Sequence, residues 1–390
     1  MSNEWINTPV SHLETPCYLY DMDLLRKTLS GISSLANPLN YKVHYALKAN
    51  SNDRLLQTIS QAGFGADCVS GNEIQKALQT GFPPEEIVFA GVGKADWEID
   101  LALDHDIAMF NCESIPEMEV IQERAVKKNK MARIAVRINP EIDAKTHHYI
   151  TTGIEENKFG INREDLPQVL KACHSLSHIQ LRGLHVHIGS QITDLDVFKS
   201  LCLRMNEIQD YFRREHLPVE HINVGGGLGL NYEQPEKEPV PDFNAYFNIF
   251  KEFLDLHPGQ QLHFELGRSV TGQCGKLITK VLYVKEGVNT RFAIVDAGMT
   301  ELIRPALYQA YHKITTPTSQ REPLKYDVVG PICESSDYFG KSIELPELRR
   351  GDMLVIHTAG AYGEVMRSNY NLRDHLYFYY SDDLNRFPKI

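Results

Sequence analysis

Eight short apolar segments that alternate with helix-like stretches constrain the fold of this chain more than any other feature. The stretches between them have the residue spacing of amphipathic helices. Eight strands that alternate with helices over about 250 residues predict a (β/α)8 TIM barrel, an α/β fold. An open doubly wound sheet is the alternative, although such a sheet usually has fewer strands. The apolar segments lie at residues 43–47, 64–67, 87–91, 108–111, 132–138, 181–188, 221–224 and 261–266.

Two of the intervening stretches carry the start signal of a helix. Ser70-Gly71-Asn72-Glu73 and Ser114-Ile115-Pro116-Glu117 both have the Ser-x-x-Glu form of a capping box before an apolar helix. Gly81 stands where a glycine commonly ends a helix, so the first of these helices should stop just before it. These signals support the alternation of strands and helices.

The pattern changes after Arg268. Strand-like runs now follow one another with only turn residues between them, which predicts an antiparallel β domain. One further strand is predicted near the N-terminus, at 17–22. We therefore predict a barrel over 23–270 and a β domain formed by 1–22 together with 271–390. The strand-like runs of the second region are 277–284, 291–296, 326–330, 353–357 and 376–380.

Composition argues against several classes of function. The 390 residues carry a net charge of −11 with a pI near 5.8, which disfavours nucleic acid or an anionic membrane as partner. We see no apolar run long enough to cross a bilayer and no export signal at the N-terminus. The seven cysteines are scattered without CxxC spacing, which predicts reduced thiols in the cytoplasm and no metal site.

Residues suited to chemistry cluster at the predicted ends of the barrel strands. Barrel enzymes place their active sites at the C-terminal ends of the strands, often with a phosphate site after strands seven and eight. The first strand here ends at Lys48, and the sixth, seventh and eighth end in polar or glycine-rich stretches. We therefore expect one site at the mouth of the barrel. The three later stretches are His185–Gln191, Gly225–Gly229 and Glu265–Arg268.

Lys48 lies in the stretch His44-Tyr45-Ala46-Leu47-Lys48-Ala49-Asn50. A desolvated ammonium is costly, and the same desolvation lowers the pKa of a lysine and makes it an amine nucleophile. A lysine alone in such a place more often reaches solvent or pairs with a carboxylate. The neighbouring clusters favour the chemical interpretation.

The glycines of the seventh strand end predict a phosphate site. Gly226 and Gly227 let the backbone approach an anion with exposed N–H groups, and Ser190 and Arg268 are predicted nearby. A glycine run alone is more often a tight turn.

Glu265 and His187 predict contacts with a planar cationic ring. Glu265 is an acid in an apolar strand and needs a buried cation, either a pyridine nitrogen or a structural arginine. His187 and His185 alternate on the predicted strand, so that one imidazole could lie against a ring while the other is a core histidine. Arg137 is a weaker candidate for the polar edge of the ring.

The predicted β domain carries a second group of candidates. The stretch Gly330-Pro331-Ile332-Cys333-Glu334-Ser335-Ser336-Asp337 combines a thiol with a carboxylate, and its polar surroundings predict that Cys333 is exposed. Arg304 has the planar, permanently charged guanidinium that suits a carboxylate, although an isolated arginine more often forms a structural ion pair.

Together these stretches resemble the fold-type III pyridoxal-phosphate decarboxylases, from about residue 13 to 383, and most closely the diaminopimelate decarboxylases. The resemblance implies a homodimer with the architecture of alanine racemase, with sites shared between chains. It implies that Lys48 binds pyridoxal 5′-phosphate covalently and that the substrate is meso-2,6-diaminopimelate, converted to L-lysine and CO2. One departure is Leu266, where a proline is usual.

The resemblance also assigns roles to the candidates. Cys333 is implied as the proton donor, Glu265 and His187 as catalytic contacts of the cofactor ring, and Glu334 as the contact of the distal amino group. The cofactor-binding set is implied to be Lys48, His187, Ser190, Gly226, Gly227, Glu265, Gly267, Arg268 and Tyr362. The substrate-binding set is implied to be Arg268, Arg304, Tyr308, Glu334 and Tyr362.

Two rival functions stay open at this point. A decarboxylase of ornithine or another basic amino acid would lack the Cys-Glu pair and the arginine clamp. A non-catalytic relative that binds the cofactor as a regulator would usually lose Lys48 or Cys333. Alanine racemase itself would need a catalytic tyrosine from its β domain.

Overall fold

The computed structural model describes residues 13–142 and 158–384. The chain divides into two compact units, which we call the barrel unit and the β unit. The barrel unit comprises Thr28–Gly229 and Asp242–Arg268, and the β unit comprises the described parts of Met1–Lys27, Leu230–Pro241 and Ser269–Ile390. Thr152 and Gly153, part of a loop that resembles one in the decarboxylases, lie outside the described residues.

Eight parallel strands close the barrel, as predicted from the alternation of apolar segments. The strand that closes the circle, β9, pairs with the first, β2, and Lys42 lies opposite His263. The preceding elements are β1 (Cys17–Tyr20) and α1 (Met22–Ala36). The barrel strands are β2 (Lys42–Ala46), β3 (Gly65–Cys68), β4 (Ile87–Phe89), β5 (Met109–Cys112), β6 (Ala132–Arg137), β7 (Ile179–His185), β8 (His221–Asn223) and β9 (Gln261–Leu266).

Helices follow the barrel strands and pack against them through apolar faces. The predicted starts are confirmed, because the Ser70 and Ser114 hydroxyls accept the backbone N–H groups of Glu73 and Glu117. Gly81 follows the first of these helices with φ +97, as predicted. The helices are α2 (Asp53–Gln61), α3 (Gly71–Gln79), α4 (Asp96–Asp104), α5 (Ile115–Lys128), α6 (Leu166–Ser175), α7 (Asp196–Arg214), α8 (Phe243–Phe253) and α9 (Arg268–Thr271).

The β unit differs from its prediction in two respects. Its sheet is mixed, because β11 pairs with β13 in parallel and β1 pairs with β16 in parallel, whereas the other described pairings are antiparallel. Two of its strands, β12 and β14, were not predicted. The elements are β10 (Gly275–Glu286), β11 (Arg291–Val295), α10 (Arg304–Tyr308), β12 (Ile314–Thr315), β13 (Pro323–Val329), β14 (Tyr338–Pro346), β15 (Met353–Ile356), β16 (Tyr377–Tyr380) and α11 (Ser381–Leu384).

The unit boundaries also differ from the predicted 23–270. The segment Leu230–Pro241 leaves the barrel after β8 and belongs to the β unit. Its side chains explain this, because the Tyr232 hydroxyl contacts Arg304 and Glu236 pairs with Lys313. A sequence boundary placed after the last barrel strand could not reveal this excursion.

Among the described residues, no helix has the length and apolar character needed to span a membrane. In the same part of the chain we find no group of three or more histidine, cysteine or acidic side chains arranged to hold a metal ion.

Candidate active site

Lys48 lies just beyond the end of β2, in a short 3-10 turn at Leu47–Ala49. The strand itself ends at Ala46, two residues earlier than the sequence predicted. The Lys48 Nζ atom lies 2.8 Å from Oδ2 of Asp67, and 39% of the lysine side chain is exposed while that of Asp67 is fully buried. Lys48 is therefore held at the mouth of the barrel by a buried carboxylate at the end of the neighbouring strand, β3.

Glu265 is the centre of a buried hydrogen-bond network across the barrel. Its Oε1 atom accepts hydrogen bonds from the side-chain amides of Asn111 and Asn223, each at 2.8 Å. Its Oε2 atom lies 3.0 Å from Nε2 of His185. Three strands thus hold this carboxylate in one orientation, with little freedom to turn.

The two buried carboxylates influence each other. Burial raises the pKa of Asp67, the charge of Glu265 raises it further, and Lys48 opposes these effects. Burial alone would also raise the pKa of Glu265, but the charge and hydrogen bond of His185, with the charge of Lys48, bring it below its ordinary value. The site therefore holds Glu265 as a carboxylate and favours additional positive charge near it.

The glycine loop after β8 packs directly on β9. A Cβ atom at Gly226 would lie 2.1 Å from the carbonyl oxygen of Glu265, so only glycine allows this approach. Gly225 and Gly227 have φ of +67 and +110, values that side chains rarely adopt. Gly267 is similarly confined, because a Cβ there would lie 2.9 Å from that of Ala49. Tight packing therefore accounts for part of the glycine pattern.

Arg268 and Ser190 come together as predicted. The Nε and Nη2 atoms of Arg268 both donate to the Ser190 hydroxyl oxygen at 3.1 Å. Arg268 is buried, at 6% exposure. A buried guanidinium and a hydroxyl at the strand ends of the barrel form a suitable contact for a phosphate.

His187 follows β7 rather than lying within it, because the strand ends at His185. The predicted strand is therefore too long at this end, and the sharing of one face by the two histidines stays a prediction. The Nδ1 atom of His187 accepts the backbone N–H of Gly226 at 3.3 Å. Burial lowers the pKa of His187 well below its ordinary value, and the charges of Arg137 and Lys48 add to this shift. The ring is thus neutral, which suits stacking against a cationic ring.

Arg137 forms a buried ion pair with Glu113 at 2.8 Å. Glu113 also accepts the backbone N–H of Gly160 at 2.8 Å, and the Arg137 guanidinium lies 4.8 Å from the Phe159 ring centroid. Arg137 therefore takes part in a buried ion pair, and its contact with the polar edge of the ring stays a prediction. The bond from Gly160 to Glu113 ties the 158–160 stretch to the barrel, while Lys158 is exposed.

In the β unit, Cys333 and Glu334 lie on an exposed loop, as predicted for Cys333. Two neighbours on a second loop support them. The backbone N–H of Cys333 donates to Oδ1 of Asn371 at 2.9 Å, and the Tyr370 hydroxyl donates to Oε1 of Glu334 at 2.7 Å. The 370–371 stretch thus contacts the backbone of Cys333 and the carboxylate of Glu334.

Arg304 begins helix α10 and is buried, at 6% exposure. Its Nη1 atom donates to the Tyr232 hydroxyl and to Nε2 of His312, each at 3.0 Å. Tyr308 lies at the end of the same helix and is half-buried. Tyr362 is also half-buried and has φ +56, so the 360–363 turn holds it in a left-handed conformation.

The barrel residues fit pyridoxal phosphate on structural grounds. Lys48 offers a partly exposed amine, Arg268 and Ser190 offer phosphate contacts, and Glu265 offers an oriented carboxylate for the ring nitrogen. Two buried acceptor atoms, Oδ1 of Asp67 and Oδ1 of Asn111, have no hydrogen-bond partner among the described residues. Unpaired acceptors beside two carboxylates suit a cationic ligand.

Sequence reasoning missed several residues of this network. Asp67, Asn111 and Asn223 are polar residues in or at the end of buried barrel strands, the same signal that identified Glu265. His185 is the buried core histidine that was expected, but its partner Glu265 was not predicted. Asn371 and Tyr370, which contact the Cys333 backbone and the Glu334 carboxylate, had no predicted role.

Comparison with known proteins indicates the same cofactor as the geometry of the barrel residues. Residues 23–272 match the family described as pyridoxal-dependent decarboxylase, pyridoxal binding domain. The diaminopimelate decarboxylase of Bacteroides thetaiotaomicron is 56% identical over 373 residues, which cover 95% of this chain and 97% of that protein.

Solved structures agree over both units. Diaminopimelate decarboxylase from Helicobacter pylori complexed with L-lysine matches with a TM-score of 0.88 and 38% identity, over 95% of this chain and 93% of that one. The enzyme from M. jannaschii in co-complex with L-lysine matches with a TM-score of 0.86 and 32% identity, over 96% and 89% of the two chains. The chain therefore belongs to the pyridoxal-dependent decarboxylases, in the group that contains the diaminopimelate decarboxylases.

Proposed function

We propose that this chain decarboxylates meso-2,6-diaminopimelate to L-lysine and CO2, the last step of lysine biosynthesis, with pyridoxal 5′-phosphate as cofactor. The observation that carries the proposal is the 56% identity to a diaminopimelate decarboxylase over 95% of the chain, which extends across both units. When bound, the cofactor withdraws electrons from the carbon that loses CO2.

The barrel residues bind and orient that group. Lys48, positioned by Asp67, would hold it covalently through Nζ. Glu265, fixed by His185 and two asparagine amides, would contact the ring nitrogen and keep it protonated. Ser190, Arg268 and the backbone at 226–227 would bind the phosphate, and the neutral His187 ring would contact the cofactor ring.

The β unit supplies the proton and the contacts of the substrate's distal end. Cys333 Sγ delivers a proton to the carbon that has lost CO2, and Glu334 contacts the distal amino group. We infer a homodimer in which Cys333 and Glu334 of each chain complete the other chain's site. Tyr362 completes the cofactor contacts. The absence of disulfides among the seven described cysteines, with the charge of −11, fits a cytoplasmic enzyme without nucleic acid or membrane partners.

Arg304, together with Arg268, sets the choice of substrate. Diaminopimelate carries a distal carboxylate that ornithine and lysine lack. Arg304 is already buried and oriented by Tyr232 and His312, so a substrate without that carboxylate would leave its charge poorly matched, and sites reject such substrates strongly. Tyr308, on the same helix, lines this end. The rival decarboxylase of a basic amino acid would not need this arrangement.

CO2 release from meso-diaminopimelate, L-ornithine and L-lysine, measured side by side with added cofactor, tests the proposal. We expect release from diaminopimelate alone, with L-lysine as the product. The Lys48→Ala variant should release none and should lack the yellow colour of the bound cofactor. Release mainly from ornithine would overturn the roles of Arg304 and Glu334, and no release from any substrate would favour a non-catalytic regulator.

A further inference from the structure

The β unit contains a cavity of about 460 Å³ that the reaction does not use. It lies over one face of the sheet, where alternate residues of β10 and β15 point the same way. Ile278 is directly opposite Val355 in these strands, and Lys276 is directly opposite Leu19 of β1. All four line the cavity. The floor is therefore an apolar sheet surface with a single lysine set into it.

The excursion Leu230–Pro241 contributes a wall to this cavity through Pro235, Glu236 and Pro239. Glu236 pairs with Lys313 at 2.6 Å and ties the wall to the β unit. Gln273 donates to the carbonyl oxygen of Asn231 at 3.3 Å and adds a second tie. The wall is thus fixed by specific contacts, and the volume it encloses is within the range of small-molecule sites, about 300–1,000 Å³.

The ammonium of Lys276 lines this cavity without an anion of the described chain in contact with it. Within the described residues its ammonium makes no hydrogen bond and no ion pair, unlike Lys313, which also lines the cavity. Burial lowers the pKa of Lys276, and the charge of Asp21 opposes part of that shift. Asp21 itself accepts the backbone N–H of Leu24 at 2.9 Å at the start of α1. The cavity therefore holds a half-buried cation that lacks a contacting anion.

Two further polar side chains of the cavity, His357 and Thr358, add no charge to it. His357 is hydrogen-bonded to the Thr315 hydroxyl at 2.8 Å. Burial lowers its pKa to about 4, with the charges of Lys276 and Lys313 adding to the effect, so it is neutral at pH 7. Thr358 donates to the side-chain oxygen of Gln273. The site offers one cationic contact and an apolar surface.

We propose that this cavity binds a small molecule with one carboxylate on an apolar chain, the carboxylate against Lys276 Nζ and the chain over Leu19, Ile278 and Val355. A carboxylate supplies the missing anion through a charge-assisted hydrogen bond. The apolar chain covers the sheet surface beside it and gains by leaving water. This site is independent of the decarboxylation proposed above.

Calorimetric titration of the cofactor-loaded enzyme with octanoate tests the proposal. We expect saturable binding of one octanoate per chain, and at least tenfold weaker binding of 1-octanol, which keeps the chain but lacks the charge. The same titration with L-lysine present separates the two sites, because lysine should occupy the active site and leave this cavity free. Displacement of octanoate by lysine would overturn the proposal.

Matched variants locate the site. Lys276→Met should weaken octanoate binding at least tenfold, whereas Lys313→Met, which removes the other lysine of the cavity, should change it by less than about twofold. Asp21→Asn removes the negative charge beside Lys276 and keeps the helix contact, so it should strengthen binding. All three should retain CO2 release, which shows that they fold. Unchanged affinity in Lys276→Met, or weaker affinity in Asp21→Asn, would overturn the assignment.

Discussion

The two units support their functional side chains in opposite ways. In the barrel unit, Glu265 is buried and receives hydrogen bonds from three other strands. In the β unit, Cys333 and Glu334 stand on an exposed loop, each with a single described contact to residues 370–371. The barrel site is thus preorganised by its own strands, and the loop presents its groups outward.

This difference indicates a division of labour. Groups that hold a cofactor through many turnovers benefit from a rigid, desolvated surrounding, where each polar contact is stronger than in water. Groups that meet a substrate, or complete a site on another chain, must be accessible from outside. Loss of a barrel contact should therefore change the chemistry, whereas loss of a loop contact should mainly change substrate binding, with the thiol as the exception.

Cys333→Ala gives the largest effect and tests that exception. Loss of a general acid typically lowers turnover by about 10²–10⁴-fold, and we expect kcat to fall within this range while KM changes little. Cys173→Ala, a half-buried thiol on α6, is the matched control and should keep wild-type kcat. Unchanged turnover in Cys333→Ala would remove this thiol from the reaction.

Mixing two inactive variants tests whether Cys333 acts across chains. In a dimer of one Lys48→Ala chain and one Cys333→Ala chain, one of the two shared sites is intact. Random assortment should restore about a quarter of the wild-type activity. A mixture that stays inactive after subunit exchange would contradict the shared site.

The strand ends could be predicted from the sequence because a barrel places them all at one mouth. Lys48, Ser190, Glu265 and Arg268 do lie at that end, and Arg268 meets Ser190 as expected. Asp67 was missed although it is an acid beside apolar residues, the signal that revealed Glu265. Its partner became evident only in the structure, because strand pairing places Asp67 opposite Ala46, two residues before Lys48.

The β unit was less predictable for physical reasons. Strand β12 has two residues and gives no periodic signal. Strand β14 mixes polar and apolar residues without regular alternation, and most of it is not buried. Loop contacts such as that of Asn371 with the Cys333 backbone depend on conformation, since Asn371 has φ +57, and not on residue spacing.

Asp67→Asn tests how far the buried network controls Lys48. A hydrogen bond to a charged group contributes about 1.5–3 kcal/mol, so we expect kcat to fall about 10- to 100-fold as Lys48 loses its orientation. The control is Glu86→Gln, which removes the ion pair of Lys42 at the opposite end of the same strand, β2, and should keep wild-type kcat. Equal effects of the two variants would mean that Asp67 acts only on stability.

The raised pKa of the buried Glu73 carboxyl predicts that the stability of the barrel unit depends on pH. Burial raises its pKa from about 4.5 to about 7, so between these values the folded chain binds a proton that the unfolded chain does not. Stability from this group is present below pH 4.5 and is lost as the pH rises through 7, by up to about 3 kcal/mol. Glu73→Gln should therefore gain in melting temperature relative to wild type between pH 5 and pH 8.

The contrast with Glu117 sharpens that prediction. Both glutamates occupy the same position of a Ser-x-x-Glu helix start, and each accepts a backbone N–H of the preceding turn. Glu117, however, also pairs with the buried Lys94 at 2.5 Å. Glu117→Gln should lower the melting temperature at neutral pH, where Glu117 is ionised, because it leaves a buried ammonium without its anion. A pH-independent difference for Glu73→Gln would contradict its assigned titration.

Tyr370→Phe should have the smallest effect, and it tests how strongly the exposed loop orients Glu334. It removes the hydroxyl that donates to Glu334, and both side chains are exposed in the described chain. Exposed polar pairs contribute little, so we expect KM for diaminopimelate to rise about two- to fivefold with kcat unchanged. Initial rates over a range of substrate concentrations separate the two constants. A fall in kcat of the size expected for Asp67→Asn would mean that the orientation of Glu334 is required in the chemical step and not only in substrate binding. The loop would then be as preorganised as the barrel.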